Sequence, residues 1–320
     1  MTKVSVVVPT RDRDALLKQA LASIRANEDS TVELEILVID NGSGEGTQSI
    51  AGEFGARYLR SPRPGVSVAR NQGLDAATGD YVAFLDDDDV WTPGHLHLLV
   101  GWLAERPAFA AVLGQVQNTD LELRHPGLLW PDSFPADGHI FAQLLRVQPQ
   151  LGATVIRKSV IDQVGHFDEE LIGDEDWDLH MRLAIDRLVG FVPVPCVLFR
   201  RRPNGTWDDL HWKQFRPFRR VFWRNVRRAG KNRPPVSYVL RTYLHHIGAY
   251  QSELLNNAKA HARAGRRRAA RVALGRSVLA SPLHAAASMA RDSEARRLAF
   301  GSMVPHLGRR RSAPGSEPAR

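Results

Sequence analysis

The sequence predicts an α/β protein: a mostly parallel sheet flanked by helices, followed by a helical C-terminal region. Three observations predict it. Short, near-continuous apolar runs alternate with helical-period segments over the first 85 residues, the pattern of strands buried on both faces of a parallel sheet. Strand signals largely stop beyond about residue 206, where Arg, Ala and Leu dominate. Charge divides at the same place. Residues 1–205 hold 19 Lys+Arg against 29 Asp+Glu, a balance of −10, whereas residues 206–320 hold 24 against 6, a balance of +18. Such asymmetry points to two jobs, one of them involving an anionic surface.

The elements follow in order. "KVSVVVP" (3–9) is a buried strand ended by proline. "DALLKQALASIRAN" (14–27) sets Leu17, Leu21 and Ile24 on one helical face, with Asp12 or Asp14 placed to cap it. "LEILVID" (34–40) is a second strand, followed by the turn "NGSGEG" (41–46), and "ARYLRS" (56–61) is a weak third. "GVSVARNQGLDAAT" (65–78) reads as a short helix closed by Gly79, and "YVAFL" (81–85) as a fourth strand. Residues 117–150, rich in proline and glycine, read as a loop-rich insertion. "ATVIRKSVIDQVGHFDEEL" (153–171) resumes as strand and helix, and "DEDWDLHMRLAI" (174–185) starts another helix. The predicted domains are therefore 1–205, a basic helical region 206–308, and a disordered tail 309–320.

Composition narrows the classes. The one cysteine, Cys196, excludes an intramolecular disulfide and points to a reducing compartment. The apolar run Val4 to Val8 is too short for a signal-peptide core, and nowhere do about 18 apolar residues run together as a membrane span requires. The expected location is cytoplasmic, peripheral at the inner face of the membrane if the basic region meets lipid.

In an open α/β sheet, ligands bind at the carboxyl ends of the strands. Asp12, Asp40 and the run Asp86–Asp89 in "YVAFLDDDDVW" each follow such an end, so all should gather on one edge. Four adjacent carboxylates repel one another, which makes sense if something positive sits among them. Oxygen ligands select hard ions such as Mg²⁺ or Mn²⁺, bound by one or two carboxylates plus substrate phosphates. An acidic, solvated turn that favours the following helix dipole is the plainer alternative.

At this point residues 1 to about 205 resemble the family 2 glycosyltransferases with the GT-A fold. The matching stretches are "VSVVVPTRDR", "LVIDNGS", "GVSVARNQGL", "GDYVAFLDDDDVW" and "VGHFDEEL…GDEDWDLHMRL", in that order. The resemblance implies that Pro9, Thr10, Arg11 and Asp12 line a nucleotide pocket, that Asp40 accepts from the base, and that Arg70 lies near the base or phosphates. It implies that the first aspartate of a D-x-D motif, Asp86, faces the ribose and the last, Asp88, binds a metal; Asp87 and Asp89 compete for either role. Asp176 of "ED" matches the catalytic base. Arg11 stands where the family often has an aromatic residue; its guanidinium can also stack on a planar ring.

The implied activity is an inverting, metal-dependent transfer, with Mg²⁺ or Mn²⁺, from a nucleotide-diphosphate-sugar to an acceptor hydroxyl. A UDP-sugar is favoured, and the setting is cell-surface polysaccharide, glycolipid or natural-product biosynthesis. A sugar-nucleotide pyrophosphorylase should show a glycine-rich, lysine-containing loop after the first strand, where this chain has Pro9-Thr10-Arg11-Asp12. A P-loop phosphoryl-transfer enzyme should show G-x-x-x-x-G-K-[ST], which does not occur. A nucleic-acid-binding protein led by the +18 region leaves the strand-end aspartates unexplained, so no nucleic-acid partner is expected. An inactive scaffold is disfavoured by the complete aspartate set.

Beyond the resemblance, "WKQFRPFRRVFWRNVRRAGK" (212–231) places Phe215, Phe218, Phe222 and Val226 on one face among arginines. It is a basic amphipathic helix that either packs on the catalytic part or lies on an anionic membrane. "RRRP" (200–203) either touches a diphosphate or is a solvated exit from the sheet. Trp91 and Trp177 are core candidates and Trp130 a sugar-stacking one, while His180 and His211 belong to an acceptor pocket or the surface rather than to a metal.

Overall fold

The computed structural model describes residues 1–42, 44, 46–124, 126–201 and 208–303. Its strands are β1 (Thr2–Thr10), β2 (Val32–Asp40), β3 (Arg57–Arg60), β4 (Tyr81–Phe84), β5 (Val90–Trp91), β6 (Phe109–Thr119), β7 (Leu129–Trp130), β8 (Thr154–Arg157) and β9 (Leu188–Arg200). Its helices are α1 (Asp14–Arg25), α2 (Gly46–Glu53), α3 (Val66–Ala76), α4 (His95–Ala104), α5 (Phe141–Leu144), α6 (Lys158–Val164), α7 (Glu175–Ala184), α8 (Asp208–Arg228), α9 (Val236–Arg263), α10 (Arg267–Ala280), α11 (Pro282–Arg291) and α12 (Ser293–Met303).

One sheet runs in the order β3-β2-β1-β4-β8-β6-β9-β5, with β7 beside β6. β3, β2, β1 and β4 are parallel, as the alternating sequence predicts. From β8 onward the sheet is mixed: β8 is antiparallel to both β4 and β6, while β6 and β9 are parallel. β6 has no counterpart among the sequence-predicted elements. Its run "FAAVLGQVQ" is apolar, alanine-rich and glycine-containing, so periodicity alone does not separate it from a buried helix.

β1 shows why its strand is apolar on both sides. Val4, Val6 and Val8 share a core with Leu17, Leu21 and Ile24 of α1. Val7 faces the other way and lies so close to Gly73 of α3 that a Cβ there would collide with it. The expected cap of α1 is not formed. Arg13 takes the N-cap position without a side-chain cap bond, and the Asp14 carboxylate instead accepts from Thr47 Oγ1 at 3.3 Å.

The chain divides into two compact units, and the first extends past the boundary expected at 205 to include Lys213–His246. The physical reason is the apolar face of α8. Phe215, Phe218, Phe222 and Val226 are all buried, and Phe218 stacks on Trp177 of α7 with ring centroids 5.6 Å apart and planes 5° from parallel. That face is therefore occupied by protein, the first of the two arrangements the sequence left open for this helix, and Phe215, Phe218 and Phe222 are not available to insert into lipid. The second unit, from Ile247 onward, packs α10, α11 and α12 with the end of α9 around Leu255, Ala258, Ala273, Leu274, Ala295 and Ala299. No helix among the described residues is long and apolar enough to cross a membrane. The tail 309–320 lies outside the described residues.

Candidate active site at the strand ends

Parallel pairing puts Thr10, the last residue of β1, level with Asp40, the last of β2. The aspartate run leaves β4 beside them: Val7 lies opposite Phe84, and three residues on Thr10 Oγ1 donates to Asp87 Oδ2 at 2.7 Å. Asp40 and the aspartate run thus meet at the end of β1.

Within the run, burial alternates. Asp87 and Asp89 are buried; Asp86 and Asp88 are partly exposed. Asp87 accepts from Thr10, from the Arg11 amide at 3.3 Å and from Arg13 Nη1 at 2.9 Å. Asp89 accepts from the Arg200 amide at 3.1 Å, and burial together with Asp86 and Asp88 holds its carboxyl well above the usual range. These two carboxylates are turned onto the ends of β1 and β9. Asp86 instead accepts from Arg70 Nη2 at 2.7 Å, and Asp88 from Arg13 Nη1 at 2.8 Å. The Arg200 guanidinium reaches the Asp88 carbonyl at 2.5 Å, so the first arginine of "RRRP" braces the run; Arg202 and Pro203 lie outside the described residues.

Arg70 joins the two halves of the site. Its guanidinium is buried, donates through Nη2 to Asp86 and through Nη1 to Glu175 at 2.8 Å, and lies 5.7 Å from the Phe167 ring centroid. The next residue, Asn71, bonds Phe167 in both directions, donating to its carbonyl at 3.0 Å and accepting from its amide at 2.8 Å. The "ARN" stretch of α3 therefore fixes the segment that leads into α7.

Asp174, in the left-handed region (φ 60°), takes the N-cap position of α7, which opens with Glu175 and Asp176. The Asp176 carboxyl is pushed up to about 7, first by burial and then by Glu175, with Arg70 opposing. Asp174 is pushed up to about 8 by burial and by its two acidic neighbours. Glu175 Oε2 and Asp174 Oδ2 are buried without a hydrogen-bond partner among the described residues. The following residues anchor the helix. Trp177 Nε1 donates to the Leu144 carbonyl at 2.6 Å, and buried Asp178 accepts from Arg182 Nε and Arg224 Nη2 at 2.8 Å and from Asn225 Nδ2 at 2.7 Å. His180 is buried with Nε2 2.9 Å from Thr154 Oγ1, and burial lowers its pKa to about 4. The His211 side chain is outside the described residues.

The other predicted binding residues are more dispersed. Pro9 is buried opposite Ile39 in the sheet. Arg11 and Asp12 are exposed and face each other across 3.6 Å, with Asp12 in the left-handed region (φ 54°). Asp40 is fully buried and accepts from the Tyr58 hydroxyl at 2.7 Å and the Gly42 amide at 3.0 Å. Trp91 and Trp177 are core; Trp130 is 38% exposed and donates to the Gln148 carbonyl. Sequence reasoning missed Arg13, Tyr58, Asn71 and Asn225, and it counted Arg224 among the basic residues that would face a membrane, whereas Arg224 is spent on Asp168 and Asp178. Arg13 was findable, since it stands three residues after a strand end that the aspartates also reach.

The donor set suits a hard divalent ion. Asp86 and Asp88 offer carboxylate oxygens that are partly exposed. No three His, Cys, Asp or Glu side chains among the described residues form a ready-made cage. An open oxygen site of this kind takes its remaining ligands from water and substrate phosphates, as Mg²⁺ and Mn²⁺ sites do.

Comparison with known proteins gives a family. The family described as "Glycosyl transferase family 2" matches residues 5–165. The uncharacterised protein Rv1520 of Mycobacterium tuberculosis is 27% identical over 232 residues, covering 68% of this chain. The chain spans 63% of that relative's length. The GalNAc(5)-diNAcBac-PP-undecaprenol β-1,3-glucosyltransferase of Campylobacter jejuni is 38% identical over 107 residues, 31% of this chain and 34% of its own. Among solved structures, S. aureus TarS residues 1–349 superposes with a TM-score of 0.60 at 15% identity, covering 90% of this chain and 91% of that one. The mannosyltransferase PcManGT from Pyrobaculum calidifontis, in complex with GDP-Man and Mn²⁺, gives 0.58 at 20% identity, covering 94% and 84%. At these identities the structures establish the fold, and together with the match over residues 5–165 they show that this chain has the GT-A fold and belongs to glycosyl transferase family 2.

Proposed function

We propose that the chain transfers a sugar from a nucleotide-diphosphate-sugar to an acceptor hydroxyl with inversion at the anomeric carbon. The observation that carries this reading is Arg70. One buried guanidinium ties Asp86, at the strand-end cluster, to Glu175, beside a carboxyl poised near 7. A donor diphosphate at Asp86 and Asp88 would then lie next to Asp176.

In this reading Asp86 faces the ribose, and Thr10, Arg11, Asp12 and Asp40 border the nucleotide. Asp88 would hold Mg²⁺ or Mn²⁺, which when bound supplies neutralisation of the charge that develops on the diphosphate. Asp176 takes the acceptor proton as the hydroxyl oxygen bonds to the anomeric carbon and the bond to the diphosphate breaks. A base with a pKa near the working pH suits that task and contributes about 10²–10⁴-fold. One base opposite the leaving group gives inversion. Arg70 keeps Asp176 from rising further and so keeps a useful fraction ionised. The choice of UDP draws support from TarS, solved with UDP-GlcNAc, although PcManGT was solved with GDP-Man.

The acceptor is a saccharide, a lipid-linked sugar or a small molecule bearing a hydroxyl. The undecaprenol-linked substrate in the name of the C. jejuni relative supports a lipid-linked one. Contact with an anionic leaflet would then rest on the exposed Lys213, Arg216, Arg219 and Arg227 of α8 rather than on its buried aromatic face.

The test is a thermal-shift screen of UDP-, TDP- and GDP-sugars with and without Mn²⁺, since a bound donor stabilises by RT ln(1+[L]/Kd). At least one donor should raise Tm in the presence of metal, and Asp88→Asn or EDTA should remove that shift without unfolding the protein. A wild-type protein that no nucleotide-sugar stabilises would sink the reading.

A further inference from the structure

Arg13 holds an unusual post. It stands at the N-cap of α1, after the left-handed turn at Asp12, and its side chain is turned onto the aspartate run rather than onto its helix. A single nitrogen, Nη1, serves two carboxylates, Asp87 Oδ1 at 2.9 Å and Asp88 Oδ2 at 2.8 Å. Asp88 is the residue that the reading above gives to a divalent ion.

We propose that Arg13 is a built-in counter-cation of the metal position. It holds Asp88 until a donor diphosphate arrives, then exchanges that carboxylate for the diphosphate, so that a divalent ion binds tightly only together with nucleotide. The proposal rests on the glycosyltransferase reading and goes beyond it.

Three features argue for exchange rather than a fixed brace. Charge comes first: a guanidinium on one oxygen of Asp88 repels a divalent ion that needs the same carboxylate, and the two compete for its negative charge. Freedom to move comes second. Arg13 is 35% exposed along its side chain, whereas Arg70, the brace of the other half, is 6% exposed. Third, Asp87 does not depend on Arg13. It also accepts from the Thr10 hydroxyl and the Arg11 amide, so Arg13 can leave without stranding a buried carboxylate. A planar guanidinium that departs from a carboxylate has a natural next partner in a phosphate, which it matches with paired donors. No third carboxylate, histidine or cysteine completes the position among the described residues, so diphosphate oxygens are needed to do so.

The experiment measures Mn²⁺ binding itself, by the loss of the free-ion electron paramagnetic resonance signal, on the full chain. Wild type and Arg13→Gln are titrated alone and with saturating UDP or GDP. Without nucleotide, Arg13→Gln should bind Mn²⁺ about tenfold more tightly or better, because the competing charge is gone. With nucleotide, that advantage should vanish or reverse, because the variant has lost a diphosphate partner. Equal or weaker Mn²⁺ binding by Arg13→Gln without nucleotide overturns the proposal while leaving the transferase reading intact. A wild type that takes up no Mn²⁺ even with UDP or GDP overturns the proposal together with the metal role of Asp88. If Arg13→Gln is too unstable to titrate, the comparison is made between Asp87→Asn and Asp87→Asn with Arg13→Gln, which differ only at Arg13.

Discussion

Replacing Phe218 by alanine separates the two roles that an apolar, arginine-rich helix can have. Phe218 is 0% exposed; it stacks on Trp177 and stands 5.2 Å from the His246 ring and 6.0 Å from Phe222, centroid to centroid. Truncating a phenylalanine in such a core costs about 3–5 kcal/mol, because the neighbours only partly collapse into the space. Loss of the aromatic stack accounts for about 0.5–1.5 kcal/mol of that. Against a total stability of about 5–15 kcal/mol the loss is large. With a urea m-value of about 2 kcal/mol/M, the midpoint of the first unit's transition should fall by about 2 M. Urea unfolding followed by tryptophan fluorescence reads it, and turnover should fall as well, since Trp177 directly follows Asp176. A loss below about 1 kcal/mol, with anionic-vesicle binding abolished instead, would refute the packing argument and return this face to the lipid.

Asp176→Asn should cut kcat by about 10²–10⁴-fold while nucleotide affinity stays near wild type, and the wild-type product should have inverted configuration by NMR. The wild-type rate should climb with pH through about 7 as Asp176 ionises. The raised pKa also has a sign for stability. The folded protein holds this proton more firmly than the unfolded chain, so the group's contribution falls as pH rises from its ordinary carboxylate range through about 7. Asp176→Asn should therefore raise Tm at pH 8 and leave it nearly unchanged at pH 4, and a variant less stable at pH 8 would contradict this. Asp178→Ala should destabilise by about 3–5 kcal/mol in the same urea assay, because it leaves the Arg224 and Arg182 guanidinium groups without their buried acceptor; a change within about 0.5 kcal/mol would show that the network contributes nothing net.

Much of the site was legible because strand and helix alternation dictates where strand ends go. A run such as "VSVVVPT" must be buried on both faces, and parallel order then brings Thr10, Asp40 and the aspartate run to one edge without further information. The proposed pairing of that edge with Glu175 and Asp176 came from resemblance alone. Composition and period could not supply it, since an acidic helix start serves the helix dipole equally well.

Three matters were decided only by the tertiary structure. Four identical residues in a row carry no internal mark of register. It took the alternation of burial, with Asp87 and Asp89 turned onto Thr10 and Arg200 and Asp86 and Asp88 left partly exposed, to separate them. The same holds for α8. Its spacing of Phe215, Phe218, Phe222 and Val226 states that one face must leave water, but burial is non-directional, so the pattern cannot say whether protein or lipid receives it. The answer lay in Trp177 and in Asp178, about forty residues upstream, whose buried carboxylate needs the donors of Arg224 and Asn225. Arg13 is the third case. Its charge is plain in the sequence, but which carboxylate it meets depends on a turn at Asp12 and on a strand end more than seventy residues away. Short-range patterning fixes which groups must be buried or exposed; which partner satisfies each of them is settled only when distant segments meet.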